Sequence, residues 1–161
     1  MSGFPQSLDE SFTERDYIRL VCLSDTHGVH DSISEEIPEG EILVHCGDFT
    51  NTGEREQIES FLRWMSGQPH RYKVLIAGNH DITLQVDYYN SFGKSNFHKH
   101  RVVNYDPEEC RSLVQNYPGI IYLEDSGKEL VFDDAITPVT IKVYGTPWQP
   151  EFCDWAFNLP R

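Results

Sequence analysis

Three short apolar runs, YIRLVCL at 17–23, EILVHC at 41–46 and KVLIAG at 73–78, each break off into a polar cluster whose members can bind cations. The clusters contain Asp25 and His27, then Asp48, then Asn79, His80 and Asp81. Runs of this length, rich in β-branched and aliphatic residues and bounded by turn formers, read as buried strands. Between the second and third, GEREQIESFLRWM places Ile58, Phe61, Leu62 and Met65 at helical spacing with charges on the remaining faces. Strand, helix, strand predicts a right-handed parallel crossover. In open α/β sheets the loops at the carboxyl ends of the strands converge, so three separated motifs are expected to share one site.

The rest of the chain reads differently. NSFGKSNFHKH (90–100) is expected to be a loop or insertion, and DPEECRSLVQNYP a helix opened by Asp106, with Pro107 at its first position, and stopped at Pro118. GIIYLED, KELVFDD and VTIKVYG follow as strands whose short connections favour antiparallel neighbours. Residues 1–16 form a polar N-terminal extension, and 17–161 read as one domain, a length that can bury roughly 70% of the surface its unfolded form exposes. The net charge of -13 argues against non-specific binding to nucleic acid or to anionic membranes. No apolar stretch approaches a membrane span and the opening residues lack the pattern of a signal peptide, so the expected location is cytoplasmic. The four cysteines form no C-x-x-C pair; Cys22 and Cys46 are expected to act as small core residues.

Asp25 and His27, two apart in an extended segment, would point to the same side and grip one ion. Mixed oxygen and nitrogen donors suit manganese, iron or zinc better than calcium or magnesium. Clustered carboxylates repel one another unless positive charge lies between them, and two ions sharing Asp48 would supply it. Such a pair suits hydrolysis of phosphate esters, with His80 placed to protonate the departing alkoxide.

The ordered set D-T-H, G-D and G-N-H-D resembles the calcineurin-like metallophosphoesterase superfamily. LVCLSDTHGVH, LVHCGDFTNTGE, KVLIAGNHD, IIYLEDS and VYGTPWQPEFCDWAFNLPR resemble its small eukaryotic metallophosphoesterase-domain-containing members over nearly everything from residue 18 to 161. The resemblance implies an α/β fold, the N-terminal part of a four-layer α-β-β-α sandwich with mixed sheets. It implies two divalent ions, the first on Asp25, His27 and Asp48 and the second on Asp48 and Asn79, with His80 as the catalytic histidine. The implied substrate is a small phosphodiester, cyclic nucleotides among them.

Two departures stand out. Many relatives carry an acid where this chain has Asn51, whose amide oxygen could instead accept an imidazole N–H. The family's two later histidine motifs also find no match here, so the domain reads as incomplete at its C-terminus. That leaves a second reading open: a shortened, weakly active or inactive form that binds metal or nucleotide, or serves as an interaction module. Losing strands would leave open edges and an apolar sheet face. Trp148, Phe152, Trp155 and Phe157 are expected to pack in the core or line a substrate groove, with an exposed anchor patch as the alternative.

Overall fold

The computed structural model describes residues 17–133 and 138–160; the polar extension at 1–16 lies outside them. β1 (Leu20–Leu23), β2 (Ile42–His45), β3 (Tyr72–Leu75) and β4 (Ile121–Tyr122) form a parallel sheet in that spatial order. α1 (Arg55–Ser66) crosses between β2 and β3 and buries Ile58, Phe61, Leu62 and Met65, the four residues its periodicity marked. Phe61 stacks on Phe49 with ring centroids 4.6 Å apart. The 9-residue helix at Pro107–Gln115 begins as expected, with Asp106 Oδ1 accepting from the Glu108 N–H at 2.9 Å.

On the other face of the sheet lies an antiparallel hairpin of β5 (Ser126–Phe132) and β6 (Val139–Gly145). Leu130 and Phe132 pack there against Ile42, Val74 and Leu123, forming a second core. The Tyr72 hydroxyl ties the layers together, donating to the Val131 carbonyl at 2.6 Å and accepting from the Val131 N–H at 3.2 Å. Two short parallel strands, β7 (Gln149–Pro150) and β8 (Asn158–Leu159), follow, and short 3-10 turns occupy His30–Glu36 and Ile82–Leu84. Helices, parallel sheet and hairpin are consistent with the N-terminal part of the expected layered sandwich. Among the described residues no helix is long and apolar enough to cross a membrane.

Three expectations need correction. Residues 90–100 are largely helical: α2 (Val86–Tyr88) runs through a π turn (Tyr89–Gly93) into α3 (Lys94–Phe97), so the helix at Pro107–Gln115 is α4. Fully buried Tyr89 fastens this segment, its hydroxyl 2.8 Å from His98 Nδ1. Tyr88 crosses close to Gly93, where an added Cβ would lie 3.0 Å from Tyr88 Cε1. β4 pairs in parallel with β3, because a helical connection and not a hairpin precedes it; among the described residues only β5 and β6 are antiparallel. Cys22 and Cys46 are exposed: the second core takes in Ile42, Val44 and Val74 but reaches neither cysteine, and Leu20 on β1 is open as well.

His45 ends β2 in full burial, 4.8 Å from the Phe61 ring centroid, with Nε2 3.1 Å from Thr26 Oγ1 and no partner for Nδ1. Desolvation pulls its pKa from 6.5 down to about 4. The unfolded chain therefore binds a proton that the folded chain refuses, so this contribution to stability is complete above pH 6.5 and is lost as pH falls toward 4. Between urea unfolding at pH 7 and at pH 4.5, the wild type is expected to lose about 2–3 kcal/mol more than a His45→Gln variant. The comparison removes the contributions of other titrating groups, and equal losses would show that His45 is not the sensitive residue.

Candidate metal centre

The loop after β1 continues the pairing of the sheet beyond the strands. Asp25 N–H donates to the Gly47 carbonyl at 3.1 Å, His27 N–H to Asp48 at 3.0 Å and Gly28 N–H to Phe49 at 3.0 Å. Asp25, His27 and Asp48 all take left-handed backbone, with φ of 56°, 40° and 56°. Asp and His tolerate this region better than most residues, and such strain gathers at functional sites. It also corrects the sequence argument: Asp25 and His27 meet across a left-handed turn, not along an extended strand. Asp25 Oδ1 lies 3.9 Å from His27 Nε2.

The second and third loops press together backbone to backbone. An added Cβ at Gly47 would fall 2.7 Å from Gly78 Cα, and one at Gly78 would collide with the backbone and carboxylate of Asp48. Asp81, fully buried, fastens this contact. Its Oδ2 accepts from the Asp48 N–H at 3.0 Å and the Gly78 N–H at 2.9 Å, and its Oδ1 from the Thr50 N–H at 2.9 Å and the Thr50 hydroxyl at 2.7 Å. Burial pushes the Asp81 carboxyl up to about 7, against the pull of those hydrogen bonds toward the charged form.

Potential ligand atoms of His27, Asp48 and His80 all lie within 4.8 Å of one another. His27 Nδ1 is 3.1 Å from the Thr50 carbonyl, so it carries the proton and Nε2 presents a lone pair. His80 is held in the same way, Nδ1–H donating to the Asn51 carbonyl at 2.8 Å, while its backbone N–H donates to Asp48 Oδ1 at 2.8 Å. Asn79 sits half-buried between Gly78 and His80 on that loop. Among the described residues no lysine or arginine pairs with Asp25 or Asp48, so the charge of the cluster is not neutralised from within. Two carboxylates, free imidazole nitrogens and no internal cation form a donor set that fits a divalent transition metal.

The structure thus draws His27, Asp48 and His80 together, sets Asp25 beside His27 and leaves Asn79 on the adjoining backbone. It differs from the sequence reading in how His80 is oriented. The Asn51 side chain turns away to Gln57 Oε1 at 3.3 Å, and the backbone carbonyl takes the role expected of the amide. Trp155 was not foreseen at this position: its indole lies over the His80 ring at 3.9 Å and 22°, with Phe97 on its outer side at 4.5 Å. His27 meets the His80 ring edge-on at 4.5 Å. Of the other aromatics named from sequence, Phe157 is buried against Trp148 and Phe152 is exposed.

The fold and the centre define a class: α/β proteins with a mixed oxygen and nitrogen cation site at the carboxyl edge of a parallel sheet. Residues 18–158 match the family model of the calcineurin-like phosphoesterases, and the chain belongs to that family. It is 37% identical over 146 residues to metallophosphoesterase domain-containing protein 1 of Homo sapiens, and equally to that of Mus musculus, an overlap of 90% of this chain and 42% of each relative. It is 33% identical over 149 residues to a probable rhamnogalacturonate lyase C of Emericella nidulans, covering 92% of this chain and 12% of that protein. The chain therefore spans less than half the length of these curated relatives.

Proposed function

We propose that the chain carries a dinuclear centre for hydrolysis of phosphodiesters, with cyclic nucleotides in the substrate class. Asp25, His27 and Asp48 would hold one divalent ion and Asp48 and Asn79 the other, with manganese, iron or zinc as the fitting metals. The observation that carries this reading is the convergence of His27, Asp48 and His80 at the ends of three successive parallel strands. When bound, the ions supply Lewis acidity toward the phosphoryl oxygens and toward water.

The chain's own residues do the rest. Thr50 and Asn51 carbonyls fix the two imidazoles so that each Nε2 faces the centre. With its Nδ1 proton committed to Asn51, His80 exchanges protons through Nε2 alone; as the imidazolium, protonated on both nitrogens, it can pass the Nε2 proton to the leaving alkoxide and return to the neutral ring. Trp155 covers one face of that ring and limits its rotation.

His80→Ala is expected to lower turnover of bis-p-nitrophenyl phosphate by about 10²–10⁴-fold while manganese affinity, measured by calorimetry, changes by less than about tenfold. Affinity that collapses together with turnover would make His80 a ligand and not the proton donor. Wild-type chain that binds manganese without turning over the ester would favour the binding module raised by the unmatched later histidine motifs.

A further inference from the structure

Between Asp87 and Asp106 lie 18 residues without a single carboxylate, in a chain that carries 26 acidic residues and only 13 lysines and arginines. The same stretch contains Lys94, Lys99 and Arg101. The fold gathers these three exposed cations around one hollow. The π turn, α3 and the turn after it close around a cavity of about 380 Å³ lined by Asn90, Lys94, His98, Lys99, Arg101 and Asn104 among others, with no acidic residue in its wall. Among the described residues neither Lys94 nor Lys99 has a carboxylate partner, and Arg101 reaches only Glu54, through Nη2 at 2.8 Å.

His98 forms the inner wall and is already satisfied, with Nδ1 at 2.8 Å from the Tyr89 hydroxyl and Nε2 at 3.2 Å from Thr52 Oγ1. Its burial lowers its pKa, so the wall is neutral there; with Arg101 paired to Glu54, the cavity's net charge comes from the two lysines. The Lys94 and Lys99 ammonium groups, held around one hollow without carboxylate partners, repel each other unless an anion lies between them. The wall offers ammonium, guanidinium and amide donors but no carboxylate, the composition that phosphate oxygens require. Its volume exceeds that of one phosphate and lies within the range of small-molecule sites.

We infer that this cavity is an anion site for the phosphoryl group of a small molecule, separate from the metal centre. The probes are orthophosphate, and glycerol phosphate with glycerol as the control, titrated at constant low ionic strength into ¹⁵N-labelled chain kept in chelator. Saturable amide shifts are expected within residues 89–104 for both phosphates and not for glycerol. A tighter fit of the ester would identify a phosphorylated metabolite as occupant, and equal affinity would identify free phosphate. The double substitution Lys94→Gln and Lys99→Gln, both at exposed positions, is expected to leave the melting temperature unchanged and weaken binding at least tenfold. Asp48→Asn should leave these shifts intact, so the outcome does not depend on the function of the metal centre. Shifts that do not saturate, that survive the double substitution, or that map to 25–28, 47–48 and 78–80 instead would overturn the inference.

Discussion

Asp48→Asn is expected to abolish metal-dependent phosphodiester turnover and to weaken manganese binding by more than about 100-fold, beyond the 10–100-fold typical of residues that only orient ligands. Asp48 is the one carboxylate grouped with both imidazoles, and the proposed arrangement has it bridge the two ions. Asparagine keeps the side-chain shape and can still accept the His80 N–H that Asp48 Oδ1 accepts at 2.8 Å. It removes the charge. The left-handed backbone at Asp48 also tolerates asparagine, so the fold is retained. In chelator the variant should melt at the wild-type temperature or slightly above it, because one of the clustered negative charges near Asp81 is gone. With manganese added, only the wild type should gain stability, by an amount set by ion concentration over dissociation constant. Calorimetry and melting curves with and without the ion check both halves; a variant that binds manganese like the wild type would remove Asp48 from the centre.

The order of strands and their polar ends was legible because both are local. A short apolar run declares a buried strand, and the residues just after it must lie at the carboxyl edge of a parallel sheet. Hence the nearness of His27, Asp48 and His80 could be expected without coordinates. What failed to show depends on partners distant in sequence or on backbone atoms. Trp155 was visible as an aromatic, yet nothing local says that it covers His80. Asn51 looked like a weakened substitute for an acid, but the histidine is held by a carbonyl that any residue at this position would supply. The segment from 90 to 100 looked like a loop because it is a polar stretch. What anchors its helical form is the burial of Tyr89 and its contact with His98, a tertiary fact. Cys22 shows the reverse error: an apolar run implies two buried faces only where both faces are covered.

Asp81→Ala is expected to cost at least about 4 kcal/mol of folding stability, a large part of the 5–15 kcal/mol typical of a domain. The last residue of the G-N-H-D motif touches no proposed metal atom, yet it gathers four donors from all the backbone around the centre: Asp48, Thr50 twice, and Gly78. Alanine would leave three backbone N–H groups without an acceptor, at about 1–3 kcal/mol each, and would leave the Thr50 hydroxyl only its 3.5 Å contact with the His80 carbonyl. Asparagine is the informative companion. Its single oxygen can keep the two Thr50 bonds, while its NH₂ would face the Asp48 and Gly78 N–H groups, so about half of the alanine penalty is expected. Because the Gly47 and Gly78 backbones meet without room for a side chain, loosening this clasp moves Asp48 away from His80. Manganese affinity should therefore fall in the asparagine variant even where it remains folded. Urea unfolding of both variants in chelator, followed by manganese calorimetry on the folded asparagine form, tests the ranking. An alanine penalty under about 1 kcal/mol would mean that water reaches these donors and that the three loops are held together by something other than Asp81.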